Sequence, residues 1–197
     1  MRKDLISTQP LQSSFLSCEK DIEKILKKLF VESHPYSEDL KRLLIINTKD
    51  CLDNKTSEVY NKYLREATLP YLVEHGFIKI VPKMLLPEHE EIKSYIIISF
   101  DNFTPSGNPQ FRDCVVHFDI ICHTDYWDLG DYRLRPFKIA GIIDGLLDKS
   151  RLSGIGTFQF LGANELILNE EFSGYSLMFS AVHGSDDWIE DKEDEEE

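Results

Sequence analysis

Residues 113–124 read DCVVHFDIICHT, and the alternation inside them decides the fold. Cys114, Val116, Phe118, Ile120 and Cys122 are all apolar, while His117, Asp119 and His123 fall between them. Successive side chains of a strand point to opposite faces, so this stretch predicts a strand with one face in a core and one polar face. Upstream, residues 92–100 (IKSYIIISF) are also strand-like. Ile96, Ile97 and Ile98 put apolar groups on both faces, which suits a central or covered strand. The connection, Asp101–Arg112 (DNFTPSGNPQFR), is polar and rich in Pro, Gly and Asn. It reads as the long loop of an extended hairpin.

Downstream, residues 125–134 (DYWDLGDYRL) form an acidic, aromatic connection. Pro136 suits the first position of a helix. Ile139, Ile142, Ile143, Leu146 and Leu147 follow the i, i+3, i+4, i+7, i+8 pattern of an amphipathic helix ending by Ser150. Thr157–Leu161 reads as a strand, Gly162-Ala163-Asn164 as a turn or bulge, and Glu165–Leu168 as its resumption. Tyr175, Leu177, Phe179 and Ala181 share one face of a last strand, which Gly184-Ser185 ends.

Toward the N-terminus, Phe77–Val81 reads as a strand. A helix after Thr56 places Tyr60, Leu64, Ala67 and Tyr71 on one face, with Pro70 kinking or restarting it and His75-Gly76 stopping it. Residues 40–46 (LKRLLII) fit either a helical turn or a strand. Ser17 is the expected N-cap of a first helix carrying Ile22, Ile25, Leu26, Leu29 and Phe30 and ending near Ser33-His34-Pro35. Residues 1–16 show no period and read as an extended arm, 17–185 as one domain, and 186–197 as a disordered acidic tail. The order of elements predicts an α+β fold: a mostly antiparallel sheet with a long hairpin and helices packed on one side.

The 197 residues carry a formal charge of -13. Residues 186–197 (DDWIEDKEDEEE) hold nine acids and one lysine, which is -8 of that total and leaves -5 for residues 1–185. Such a balance argues against gripping nucleic acid through its phosphates. No apolar run approaches the ~20 residues of a membrane-spanning helix. The start, MRKDLISTQPLQSS, has no apolar stretch behind its basic residues and does not read as a secretory signal. Cys18, Cys51, Cys114 and Cys122 include no C-x-x-C pair. Eight residues at ~3.4 Å each hold Cys114 and Cys122 roughly 27 Å apart along one strand, far beyond disulfide reach. All four are expected as reduced thiols, suiting assembly inside a cell.

Candidate chemistry is sparse. Cys114, His117, Asp119, Cys122 and His123 are metal-ligating types, but the strand points the cysteines one way and the others the opposite way. His117, Asp119 and His123 remain the set for a metal-dependent enzyme; the ordinary reading is a polar sheet face. Asp125, Asp128 and Asp131 lack the spacing of a calcium loop. Gly154-Ile155-Gly156 follows a helix and precedes a strand, the reverse of a phosphate-cradling loop. No G-x-x-x-x-G-K-[ST] or G-x-S-x-G occurs. No catalytic residue, metal or cofactor is therefore assigned.

The remaining candidates are docking residues. Tyr126, Trp127, Tyr132, Arg133 and Arg135 are of the types that dominate interface hot spots; the alternative is that Trp127 and Tyr132 fold back onto the core. Phe103, Pro105, Asn108, Phe111 and Arg112 occupy the hairpin loop, which is expected to order against neighbours. The tail reads as a solubilising segment, or as the binding element of an acidic cytosolic adaptor or inhibitor of a basic partner, with Trp188 and Ile189 able to dock.

The stretch from CVVHFDIICH through WDLGDYRLRPF and IAGIIDGLLD to GTFQFLG resembles the tail-terminator and tail-completion proteins of tailed bacteriophages. The resemblance spans roughly residues 77–182 and rests on element order and on the helix Ile139-Ala140-Gly141-Ile142-Ile143-Asp144-Gly145-Leu146-Leu147. It implies a non-enzymatic virion protein, assembled in the host cytoplasm and forming a ring at the head–tail neck, a hexamer or a dodecamer. The partners it implies are further copies of the chain and neighbouring neck or tail proteins, with DNA passing through ungripped and no membrane. The first 55 residues, the strand before Gly184 and the acidic tail are additions to that family core.

Overall fold

The alternation at 113–124 becomes β3 (Phe111–His123), the middle strand of a five-stranded sheet. A computed structural model describes residues 9–32, 34–80, 93–106, 111–152 and 155–184. β2 (Tyr95–Pro105) and β7 (Phe172–Gly184) flank β3 antiparallel. β6 (Gln159–Ile167) pairs antiparallel with β7 at one edge, and the two-residue β1 (Ile78–Lys79) pairs parallel with β2 at the other. The order is β1-β2-β3-β7-β6. With five α-helices among the described residues this is the expected α+β fold with a mostly antiparallel sheet. Gly174 of β7 is required by close approach: a Cβ there would lie 1.8 Å from the Ile120 carbonyl oxygen.

The helices are α1 (Gln9–Phe30), α2 (Pro35–Ile45), α3 (Glu58–Glu66), α4 (Leu69–Glu74) and α5 (Arg135–Leu147). α1 starts eight residues before Ser17, so the extended reading of residues 9–16 is corrected; residues 1–8 lie outside the described residues. The signal was present: Leu11, Phe15, Cys18 and Ile22 continue the helical spacing backwards, and Pro10 is tolerated in a first turn. The ambiguous LKRLLII resolves into α2. His34 caps it by accepting from the Tyr36 N–H, a proline sits in its first turn, and Leu40, Leu43 and Leu44 are buried at helical spacing. Ser57 and Thr68 cap α3 and α4, so Pro70 restarts a helix rather than kinking one.

The twelve-residue hairpin loop is also corrected. Asp101–Pro105 extend β2, and Phe111 and Arg112 open β3. A register shift between Asp101 and Thr104, with Asn102 in the left-handed region at φ 51°, lets the strands continue past the irregularity. Pro105 is tolerated because, among the described residues, β1 covers β2 only at Ile96 and Ile97, leaving the far half of β2 an edge. Residues 107–110, Asn108 among them, lie outside the described residues. The suspected irregularity at Gly162 is a bulge in β6, between Phe160 and Gly162. A small hairpin, β4 (Arg151–Leu152) with β5 (Gly156–Thr157), precedes β6.

One core joins the helices to the inner sheet face. It includes Ile25, Leu29 and Phe30 of α1, Leu40 and Leu43 of α2, and Ile139 and Ile143 of α5, packed on Val116, Phe118, Ile120 and Phe179. Phe118 and Phe179 meet edge to face at 5.7 Å. On the opposite face Tyr95, Ile97, Ile121 and Phe172 form a second, smaller cluster, as the doubly apolar run in β2 required.

Candidate interaction surfaces

The connection 125–134 is built around two arginines. Arg135 is fully buried. Its guanidinium donates to the carbonyls of Leu43, Ile46 and Thr48 at the end of α2 and just beyond it, and to Tyr126 O. A helix end leaves its last carbonyls without intrahelical partners, and Arg135 satisfies them from α5. Arg135 is therefore a clamp between α2 and α5, which corrects its expected place in an interface. Arg133 donates twice to the Asp53 carboxylate, at 2.8 and 2.6 Å, and this ion pair holds Asp53 below the usual carboxylate range. Lys49 similarly engages Asp128 and lowers it.

These ties fix a tight loop. Gly130, Asp131 and Tyr132 all have positive φ (78°, 50° and 61°), and Tyr132 stands fully exposed. Trp127 behaves differently. It is half-buried against the core, and its indole N–H donates to Cys122 O at 3.3 Å. Of the two readings, core cap fits Trp127, whereas Tyr132 does not fold back onto the core. Tyr126 is half-buried with its ring 6.1 Å from that of His123. Of the hairpin candidates, Phe103 packs partly against the core, Pro105 is exposed and Arg112 is half-buried; the Phe111 backbone pairs with Gly184.

The polar face of β3 does not gather into a site. His117 Nε2 lies 3.1 Å from Asp101 Oδ2 without hydrogen-bond alignment. Asp119 accepts from Ser176 Oγ at 2.5 Å, and His123 Nδ1 accepts the Asp125 N–H. Each residue engages a different neighbour. Among the described residues no three His, Cys, Asp or Glu side chains converge as metal ligands. Cys51, Cys114 and Cys122 are buried, and burial pushes the Cys122 thiol up to about 11. A thiol so raised is a poor nucleophile.

Sequence reading missed other surfaces. α3 contributes no buried residue and exposes Val59 and Tyr63, one turn apart. A shallow groove of about 700 Å³ lies between α1, α2 and α3, lined by Val31, Pro35, Lys41, Leu64 and Arg65 among others. Around α5 and β6, Phe137, Phe160, Leu161 and Ile167 are exposed. Phe137 could have been flagged, because it falls outside the apolar stripe of its helix.

Fold and surface together define an α+β protein whose exposed aromatic groups lie on loops, edges and outer helix faces. The YomW family model matches residues 37–181, most of the chain, and the protein belongs to this phage-related family. Among solved structures, a chain from the virion of a native gene transfer agent particle is similar at 16% identity and a TM-score of 0.40, over 64% of this chain and 92% of that one. No curated protein matches the sequence. Within the described residues no helix is long and apolar enough to cross a membrane.

Proposed function

We propose that this protein is a structural component of a phage virion, a subunit of a ring in the head–tail neck or tail that serves as terminator or connector while DNA passes through. The observation that carries the reading is the match to a phage-related family over residues 37–181. The element order and the helix at 139–147 support the position in the neck, through their resemblance to tail-terminator proteins. Exposed apolar side chains on two separate sides, Val59 and Tyr63 on one and Phe137 and Ile167 on the other, suit head-to-tail contacts between copies. A mildly acidic body, -5 over residues 1–185, suits a passage that DNA traverses without sticking. Tyr132, exposed on a loop that the Arg133–Asp53 and Lys49–Asp128 ion pairs tie down, serves as a contact to a neighbouring ring.

Light scattering and negative-stain imaging of the full chain, with mass spectrometry of purified particles, test the proposal. The expected result is a closed oligomer and recovery of the chain in particles. A chain that stays monomeric at high concentration and is absent from particles sinks it.

A further inference from the structure

Beside α5 the edge strand β6 is mostly exposed, which leaves an open channel between the two. α5 packs mainly against β3 and β7, so among the described residues no helix covers most of the inner face of the edge strand. One row of α5 borders this gap, with Phe137, Gly141, Asp144 and Gly145 at helical spacing, and Asp148 follows just past the end of the helix. Both ends of the row are tied to the floor. The Phe137 ring lies 4.8 Å from that of Tyr175, and Asp148 Oδ1 accepts the Phe160 N–H at 3.1 Å. Between them Gly141 and Gly145 are exposed, and among the described residues a Cβ on either would meet nothing within 4 Å. Glycines one turn apart let another backbone come close. Across the channel stand Glu165, paired with Tyr175, and the exposed Ile167 and Phe160.

The channel is acidic as well as apolar. Asp144 and Asp148 lie one turn apart with Glu165 opposite, and Asp144 Oδ1 is buried without a hydrogen-bond partner. Burial first, then the neighbouring Asp148, raise the Asp144 carboxyl above its ordinary value, whereas Lys149 opposes this. A cation delivered into the channel would relieve both. α3 carries the matching chemistry. Its outward row is Val59, Lys62, Tyr63 and Glu66: two exposed apolar side chains flanking a lysine. α3 leads within two residues into α4, which packs on β1 at the opposite edge of the sheet from β6, so α3 cannot reach the channel of its own chain.

We infer that α3 of a second copy of this chain lies in the channel between α5 and β6, with Val59 and Tyr63 against Phe137, Gly141, Gly145 and Ile167, and Lys62 among Asp144 and Glu165. The contact uses two different surfaces, so it repeats head to tail and closes into a ring when the rotation allows. It rests on the ring reading above and gives that ring its interface.

The test is sedimentation or multi-angle light scattering of the full chain across a concentration series. Gly145→Gln fills the channel with a better helix former at an exposed position. Its thermal midpoint is expected to hold or rise while the oligomer dissociation constant rises about tenfold or more. Lys62→Glu weakens assembly likewise, and Lys62→Glu combined with Glu165→Lys restores it. If the wild type assembles and Gly145→Gln and Lys62→Glu assemble equally well, the channel is not the interface, and the ring reading stands without it. A wild-type chain that is monomeric throughout overturns the inference, and its presence in or absence from purified particles then decides the ring reading separately.

Discussion

β3 and β6 lie in one sheet, separated only by β7, yet they differ in what covers them. In β3 every even residue from Cys114 to Cys122 is buried under the helices. β6 is exposed along most of its length and leaves Phe160, Leu161 and Ile167 in solvent. Both runs contain aromatic and aliphatic residues suited to a strand. Burial therefore follows from the helix layer, which among the described residues lies over β3 and β7, and not from strand propensity. The stability of the molecule is concentrated under the helices, and its capacity for new contacts at the edge. Paired substitutions break this comparison most directly. Phe118→Ala, under the helices, should cost about 3–5 kcal/mol, and Phe160→Ala, at the edge, about 1 kcal/mol. Denaturant unfolding of the two variants measures the gap; equal losses would refute it.

The cover over β3 depends on the Arg135 clamp. Arg135→Met keeps much of the volume but leaves carbonyls at the end of α2 without their donor, at an expected cost of about 2–4 kcal/mol. Amide exchange should quicken in β3 and α2 while β6 stays as fast as before. Unchanged protection in β3 would show that the clamp does not hold the cover.

Much of this division was legible in residue spacing. The period-2 run in β3 and the five-position stripe in α5 needed no tertiary information, because local geometry alone puts such residues on one face. The start of α1 was legible too, in Leu11, Phe15 and Cys18, but polar residues between them obscured it. Arg135 was not legible. A sequence shows its charge and proximity to aromatics, which suit an interface, whereas its burial depends on the carbonyls of Leu43, Ile46 and Thr48, far away in the chain. The channel was hidden for a similar reason: Gly141 and Gly145 read as neutral members of a helix until the sheet is seen to extend past it.

A smaller effect separates the regions by alkaline pH. The Cys122 thiol under the helices is pushed up to about 11 by burial, and Cys51 and Tyr95 are raised by burial as well. A raised acid keeps its proton in the folded state after the unfolded chain has lost it. Stability should therefore fall as pH climbs from about 8.5 toward the folded value, by at most about 1.4 kcal/mol per unit for one such group. Cys122→Ala should flatten that slope in thermal melts. β6 carries no such group, so Ile167→Lys should leave the slope unaltered.

The smallest effect belongs to the loop beside the clamp. Arg133 lowers Asp53, and Lys49 lowers Asp128. A carboxylate with a lowered folded value adds stability that is present above its unfolded value and is lost as pH falls through the folded one. The window thus lies below about pH 4. Both carboxylates are exposed to solvent, so screening keeps the gain small, and salt should erode it further. Asp53→Asn should shallow the acid slope slightly at low salt, and the difference should vanish at high salt. Because this loop starts α5, exchange in the first turn of that helix should respond while β3 does not. If acid loosened β3 through Asp53 as strongly as Arg135→Met does, clamp and loop would be one cooperative unit, and the boundary of the stable region would have to be drawn at the exposed Tyr132.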